Sequence, residues 1–378
     1  MASTLKIDTI TTPDGTGNIT VSRPLSGSGA SLTSLPAANL TGTLPAINGS
    51  SLTGISTQKN VIINGDFNVW QRGTSFAAIA NAAFSADRWK YTETGTAVHT
   101  VSRATDVPTV AESGHLSNYS LKVDCTTIDS SIAAGDESQI LQVIEGYNFK
   151  NVAQQAMTLS FWHKHTKTGT YCVAFRNSGA DRSYVAEYTQ SATDTWEKAE
   201  ITITASPSAG TWNYTNGVGA YLTWTLAGGS TWQTTADTWQ TGNYYATSNQ
   251  VNALDSTSNN FMIAQVQLEV GSVATDFEIR DHATELAMCQ RYYYDMSGVV
   301  IGTAWHANFV SNVVEFPVTM RTAPTMGGSP IFNVNAGSAG TPANAWTITP
   351  DTYPIYNSAS NWTVSAWIKL TANFSAEL

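Results

Sequence analysis

Residues 157–175, MTLSFWHKHTKTGTYCVAF, contain two runs of β-forming residues separated by the turn signal Lys167-Thr168-Gly169. The runs, Met157 to His163 and Tyr171 to Phe175, carry β-branched and aromatic side chains, which pack well on a pleated surface. Short runs bounded by turn residues are typical of strands. The stretch therefore predicts an all-β fold.

The same pattern recurs later in the chain. Further runs of strand-forming residues are Glu200 to Thr204, Ala220 to Leu226 and Phe261 to Leu268, with Ala227-Gly228-Gly229 as another turn signal. Several short strands at irregular spacing favour two packed sheets of the jelly-roll kind over residues 58–280.

The run from Phe261 to Leu268 predicts a strand that is covered on both faces. Strict alternation places Phe261 and Ile263 on one face, and it places Met262 and Val266 on the other. Both faces are apolar, which suits a buried strand better than a solvated edge.

Composition narrows the functional classes. The charged fraction is 12% and the net charge is −10, whereas nucleic-acid binding depends on clustered Lys and Arg. No apolar run approaches the roughly 20 residues that span a membrane, and the first ten residues lack a signal-peptide core. We therefore expect no nucleic-acid partner, no membrane insertion and synthesis in a cytoplasm without a signal peptide. The three cysteines, Cys125, Cys172 and Cys289, are expected to be small buried hydrophobes.

Residues 1–57 contain no aromatic side chain, and the stretch Arg23 to Thr57 cannot by itself fill a hydrophobic core. A short pattern recurs in them: Leu32-Thr33-Ser34-Leu35-Pro36-Ala37, Leu40-Thr41-Gly42-Thr43-Leu44-Pro45-Ala46 and Leu52-Thr53-Gly54-Ile55. Three copies wound together would bury the Leu column on a common axis, which predicts a shaft in a homotrimer. A flexible Ser/Gly linker is the alternative.

Residues 281–296 are predicted to form a linking helix, with Asp281 as its N-cap. Ala283, Leu286 and Ala287 form part of an apolar stripe at helical spacing. The helix either packs against copies of itself or connects two domains. Residues 297–378 are again strand-like and predict a small C-terminal β tip domain.

Several separate blocks resemble one family. The blocks are Leu5-Lys6-Ile7-Asp8-Thr9-Ile10, the Leu-Thr-Gly and Leu-Pro-Ala repeats, Asn64-Gly65-Asp66-Phe67-Asn68-Val69-Trp70-Gln71-Arg72-Gly73, Ala86-Asp87-Arg88-Trp89, residues 265–278 (QVQLEVGSVATDFE), Glu285-Leu286-Ala287-Met288-Cys289-Gln290-Arg291-Tyr292-Tyr293 and Ser375-Ala376-Glu377-Leu378. Together they resemble bacteriophage tail fibres and receptor-binding proteins. The resemblance implies a trimeric virion fibre that attaches to tail or baseplate proteins through residues 1–57 and contacts host-cell glycan further out.

The Asn-Gly-Asp-Phe start and the Gln-Leu-Glu-Val-Gly close resemble the first and last strands of galactose-binding-like carbohydrate-binding modules. That resemblance implies sugar recognition and a structural calcium ion. Asp66 and Glu278 are the candidate ligands, because calcium takes hard oxygen atoms. Solvent-exposed or salt-bridged carboxylates are the alternative reading.

Residues 211–245 are rich in aromatic side chains among Thr, Asn, Gly and Gln, and sugars bind to aromatic platforms flanked by amide and hydroxyl groups. Packing in the core is the alternative for each ring. The candidate glycan-binding residues are Trp212, Trp232, Trp239, Tyr244 and Tyr245, with Trp305 and Trp362 in the tip domain.

No motif fixes a catalytic pair of carboxylates, a nucleophile elbow or a phosphate-binding loop, so an enzyme is not expected. His163 and His165 share one face of a strand, which suggests either a metal site without an evident third ligand or a structural role. The function expected is that of a glycan-binding fibre. A polysaccharide depolymerase tailspike and a decoration spike without receptor affinity are the alternatives.

Overall fold

The computed structural model describes residues 59–303, 310–334, 343–344, 348–357 and 367–378. These residues belong to one compact unit, Ser56–Leu378. The predicted attachment segment and shaft, residues 1–57, lie outside the described residues, and so do Trp305 and Trp362.

Twelve strands build a sandwich of two six-stranded antiparallel sheets. In chain order the strands are β1 (Ser75–Phe76), β2 (Trp89–Glu93), β3 (Val98–Ala104), β4 (Ser120–Thr127), β5 (Glu137–Glu145), β6 (Met157–His165), β7 (Gly169–Asn177), β8 (Arg182–Gln190), β9 (Glu197–Ile203), β10 (Val218–Gly228), β11 (Trp239–Thr241) and β12 (Asn260–Val270). The first sheet has the order β1-β3-β4-β12-β6-β9, and the second has the order β11-β8-β7-β10-β5-β2. The prediction of an all-β sandwich is confirmed.

The core lies between the two sheets, because alternate residues of each strand point inward. Phe161 of the first sheet meets Trp224 of the second edge-on at 5.4 Å, and it meets Tyr188 in the same way at 5.1 Å. Phe161 and Trp224 are fully buried. Aromatic contacts across the interface therefore join the sheets. Cys125, Cys172 and Cys289 are all buried free thiols, as expected.

Strand β12 is buried along almost its whole length, as predicted, but its alternation is broken. Gln265 has φ 50°, and the pairing with β6 shifts register between Ala264 and Gln267. The extra residue of this β-bulge reverses the parity of everything that follows it. Val266 consequently joins Phe261 in the core between the sheets, so its predicted position on the opposite face is wrong.

The bulge also receives the tight loop that begins the sandwich. Asn64 has φ 57°. Gly65, which has no side chain, follows it, and its carbonyl accepts a hydrogen bond from the Val266 amide at 2.9 Å. A Cβ added to Gly65 would lie 2.2 Å from the backbone oxygen of Val266. Only glycine therefore fits at this approach of two backbones.

We expect Gly65→Ala to destabilise the unit by about 2 kcal/mol, because overpacking against a fixed backbone costs typically 1–3 kcal/mol. Urea unfolding measures the change. The control is Gly135→Ala, since a Cβ at Gly135 meets no atom within 4 Å and its φ is not positive. Equal unfolding midpoints for the two variants would refute the close-approach argument.

The described helices are short: α1 (Val110–Ser113), α2 (Gly146–Phe149) and α3 (His282–Gln290). Asp281 caps α3 as predicted, and its carboxylate accepts from the Thr284 amide at 2.9 Å. The helix ends at Gln290, however, so the predicted extent to Met296 is wrong. Tyr293 begins a strand that pairs with residues near Ser375, and this pairing competes with continuation of the helix.

Six further strands follow α3: β13 (Tyr293–Thr303), β14 (Val310–Glu315), β15 (Thr325–Val334), β16 (Ala343–Asn344), β17 (Thr352–Asn357) and β18 (Trp367–Ser375). They form two three-stranded sheets, β13-β18-β15 and β14-β17-β16. A small separate core holds them together, in which Tyr353 and Phe374 meet at 5.0 Å. The strand-like character predicted for this region is confirmed.

Four of the blocks that carry the fibre resemblance meet at one place between the sandwich and these C-terminal sheets. Arg72 pairs with Asp87 at 3.3 Å and with Glu377 at 2.9 Å, while Arg88 also pairs with Glu377. Gln71 donates to the second oxygen of Asp87 at 2.7 Å through its backbone amide. We call this group the junction network.

Two tyrosine rings from the block Glu285 to Tyr293 cover the arginines of the junction network. The guanidinium of Arg88 lies 3.5 Å from the centroid of the Tyr292 ring, and that of Arg72 lies 3.5 Å from the Tyr293 ring. Arg88 is 1% exposed and also donates to the Val143 carbonyl at 2.5 Å. The four blocks therefore hold the sandwich and the C-terminal sheets together through ion pairs and ring contacts.

Candidate functional site

Two predicted aromatic platforms, Trp212 and Trp239, pack against each other with ring centroids 5.9 Å apart. Trp212 also stacks on Phe149 at 5.1 Å, and Trp239 lies edge-on to Phe175 at 6.1 Å. Each indole N–H donates to a backbone carbonyl at 3.0 Å. Both rings are half-buried and serve packing at one end of the sandwich.

The other predicted platforms lie on the outer face of the second sheet. Trp232 and Tyr244 pack there around Tyr245, against Cys172, Ala174 and Val185 of β7 and β8. Tyr245 is 1% exposed, so it is not the exposed platform that was predicted. The outward side chains of β7 and β8 are small at this place, and the Tyr245 ring fills the space that they leave.

Trp232 covers Tyr245 from outside. The two rings stack with centroids 5.0 Å apart, and the indole N–H donates to the Gly135 carbonyl at 2.9 Å. Trp232 and Tyr244 stay half-buried. The structure thus brings three of the predicted residues together, with two of them at the rim.

Beside them the outer face carries a polar group of which sequence reasoning identified only Tyr245. We call it the outer-face cluster: Glu137, Gln139, Arg176, Tyr221, Thr223, Asn243 and Tyr245. It draws on β5, β7 and β10, which are neighbours in the second sheet. The alternation of side chains along a strand predicts that Arg176 lies on this face, because it comes two residues after the outward-facing Ala174.

Arg176 is the centre of the outer-face cluster. Its guanidinium lies 5.3 Å from the Tyr221 ring centroid and 4.9 Å from that of Tyr245. One terminal nitrogen donates to the Asn243 side-chain oxygen at 2.7 Å, and the other donates to the Thr223 hydroxyl at 3.1 Å. The Nε atom is buried and has no partner. Burial lowers the pKa of Arg176 from its usual value, while the neighbouring groups Tyr245 and Glu137 raise it.

Glu137 and Gln139 complete the outer-face cluster on β5. The Gln139 amide donates to the Glu137 carboxylate. Burial and the adjacent Glu137 carboxylate raise the pKa of the Tyr245 hydroxyl, so that hydroxyl stays protonated. Glu137, Tyr221 and Asn243 are half-buried and form the accessible edge. An aromatic face, an amide and a carboxylate therefore meet at one surface, above the buried Arg176 guanidinium.

The calcium candidates, Asp66 and Glu278, line one cavity of about 210 Å³. Glu278 accepts from the backbone amides of Lys59 and Asn60, both at 2.6 Å, and from Arg280 Nε at 3.1 Å. These donors occupy the oxygens that calcium would need, and the Arg280 guanidinium lies against them. The residues present do not fit a calcium ion, and the salt-bridged alternative describes Glu278.

Asp66 is likewise surrounded by donors. Its carboxylate accepts from the Asn68 amide at 2.9 Å and from the Ser117 hydroxyl at 2.5 Å, and it faces His115 Nε2 at 3.0 Å. Within the described residues, no group of three or more His, Cys, Asp or Glu side chains is arranged to hold a metal ion.

His163 and His165 lie in the core. His163 Nδ1 is 2.8 Å from Gln190 Oε1, and His165 Nε2 is 3.1 Å from the Tyr188 hydroxyl. Burial lowers the pKa of both imidazoles, and the His163 charge lowers that of His165 further. The two residues have a structural role, which was one of the two alternatives.

No described helix has the length and apolar character needed to cross a membrane.

No protein-family model matches the chain, and no curated protein matches it. Among solved structures, the chain is similar to a family 11 carbohydrate-binding module from Clostridium thermocellum in complex with a β-1,3-1,4-mixed-linked tetrasaccharide. The identity is 9%, the match covers 54% of this chain and 99% of that chain, and the TM-score is 0.27.

Two other solved structures show the same level of similarity. A xylan-binding domain from family 22 has 15% identity and a TM-score of 0.28, and the match covers 54% of this chain and 99% of that chain. TmCBM61 in complex with β-1,4-galactotriose has 11% identity and a TM-score of 0.25, and the match covers 52% and 99%. These similarities are too distant to assign the chain to a family.

Proposed function

We propose that the chain is the glycan-binding subunit of a trimeric bacteriophage tail fibre and that it contacts sugar through the outer-face cluster. The observation that carries the binding proposal is the position of Arg176 between the Tyr221 and Tyr245 rings, with Asn243 and Glu137 at its edge. The fibre part of the proposal rests on the sequence blocks and on the repeats in residues 1–57.

The chemistry of the outer-face cluster suits a polysaccharide. A sugar ring presents an apolar C–H face, for which the half-buried Tyr221 ring is a partner. Its hydroxyls need both donors and acceptors, which the Asn243 amide and the Glu137 carboxylate supply. Weak binding at one such site becomes firm attachment when three chains and several fibres act together.

We expect Tyr221→Ala to weaken glycan binding about tenfold, because losing a stacked ring and its apolar contact costs roughly 1.4 kcal/mol or more. Binding is measured by titrating the purified chain with the strongest ligand from a glycan array. Arg176→Ala should weaken binding at least as much.

The matched control is Arg103→Ala. Arg103 lies on the first sheet and stacks on Tyr119 at 4.1 Å, in the same way as Arg176 stacks on its tyrosines. Its removal should leave binding unchanged. If Tyr221→Ala and Arg103→Ala bind glycan as tightly as the parent chain, the outer-face cluster is not the site.

The alternatives make different predictions. A depolymerase would release shorter chains from host polysaccharide, and a decoration spike would bind no glycan at all. Light scattering on the full chain separates a trimer from a monomer. A monomer would remove the basis for the shaft and leave a sugar-binding sandwich.

A further inference from the structure

We propose a second sugar site in the cavity of about 210 Å³ that contains Asp66, and we infer that it holds a single uncharged hexose unit. The cavity lies where the loop that begins the sandwich meets the residues just before α3. We call it the Asp66 cavity. It shares no residue with the outer-face cluster.

The floor of the Asp66 cavity is polar and held in place. The Asp66 carboxylate is fixed by Asn68, His115 and Ser117, and Ser117 in turn accepts from Gln265 Nε2 at 2.9 Å. This arrangement is supported by the β12 bulge, so the acceptor capacity that the three partners leave free on the Asp66 carboxylate is fixed in position before a ligand arrives. Preorganised polar groups of this kind reduce the entropy lost on binding.

The rim of the Asp66 cavity is mainly apolar, with the exposed side-chain amide of Asn118 beside it. Leu116 is 73% exposed and Ile279 is 71% exposed, and both line the cavity. Phe277 adds a ring that lies 5.2 Å from the His115 ring. A polar floor below an apolar rim matches a hexose, which has a fringe of hydroxyls and an apolar C–H face.

Size and charge narrow the ligand. The cavity volume of about 210 Å³ is large enough for one sugar ring. The carboxylates of Glu278 and Glu285 both pair with Arg280, and the Asp66 carboxylate faces the His115 ring at 3.0 Å. Three carboxylates beside one guanidinium disfavour the added negative charge of a uronic acid or a phosphorylated sugar, so the ligand is uncharged.

Ligand-observed NMR with galactose, glucose and N-acetylglucosamine tests the proposal on the full chain. We expect saturation transfer to at least one of these sugars, with Kd on the order of 1 mM, and weaker transfer to glucuronate. Leu116→Ala and Asn118→Ala should each weaken binding about threefold or more, through lost apolar contact and a lost amide.

Val273→Ala is the matched control, because Val273 is also 73% exposed and does not line the cavity. It should bind as the parent chain does. No transfer to any of the three sugars, or equal binding by Leu116→Ala and Val273→Ala, would overturn the proposal.

The two proposed sugar sites can be tested separately. Tyr221→Ala removes a ring of the outer-face cluster and should leave hexose binding in the Asp66 cavity intact. Loss of polysaccharide binding with retained hexose binding supports the Asp66 cavity as a separate site, whereas joint loss in Tyr221→Ala refutes that separation.

Discussion

Glu377→Gln is expected to lower the free energy of unfolding by about 3 kcal/mol, because removing one partner of a buried ion pair leaves an uncompensated charge. Arg88 is 1% exposed, and Glu377 is its only carboxylate partner in the described part of the chain. Arg72 keeps Asp87 when Glu377 is neutralised, so most of the cost falls on Arg88. Urea unfolding of the purified chain measures the effect.

Glu315→Gln is the control for this change, since Glu315 is exposed on β14. A double-mutant cycle with Arg88→Met isolates the pair, because removing both charges together should cost less than the sum of the single changes. Additive costs, or no difference between Glu377→Gln and Glu315→Gln, would show that the junction network does not stabilise the unit.

The second large effect is a loss of stability in acid. His99, His163 and His165 are buried, and burial lowers the pKa of each; for His99 the pKa falls to about 4. In the unfolded chain these imidazoles bind protons with a pKa near 6.5, whereas in the folded chain they stay neutral to a lower pH. The contribution of these neutral histidines to the free energy of unfolding is therefore fully present above about pH 6.5 and is lost as the pH drops towards 4. For His99 alone the loss approaches about 3 kcal/mol.

Urea unfolding at a series of pH values from 7 to 4 tests this expectation. His99→Gln should reduce the slope of stability against pH in that range, because one titrating group is gone. His282→Gln should leave the slope unchanged, since His282 is exposed at the start of α3. A slope in His99→Gln equal to that of the parent chain would contradict the assignment.

Much of the sandwich could be predicted from local sequence. The runs that became β6, β7, β9 and β10 were evident from their side chains and turn residues, and Asp281 was identifiable as a cap because its role is local. The β12 bulge could not be predicted from local sequence, since the backbone conformation of Gln265 depends on the approach of Gly65, which is distant in sequence. One inserted residue then reversed the face of Val266.

The candidate site was harder to predict for a related reason. Aromatic residues near turns favoured exposed platforms, yet Tyr245 is buried because small residues on neighbouring strands leave space for its ring. Arg176 cannot be recognised from local sequence, because its partners Tyr221 and Asn243 come from other segments. The register that joins them exists only in the folded sheet.

The junction network has a consequence for how the chain is made. Arg72 and Glu377 are 305 residues apart, and Arg88 and Glu377 are 289 residues apart. At about 5–20 residues per second, a ribosome needs roughly 15–60 s after Arg72 before it reaches Glu377. The sandwich therefore emerges with its two arginines lacking this carboxylate, and Glu377 joins the junction network only after translation has passed it.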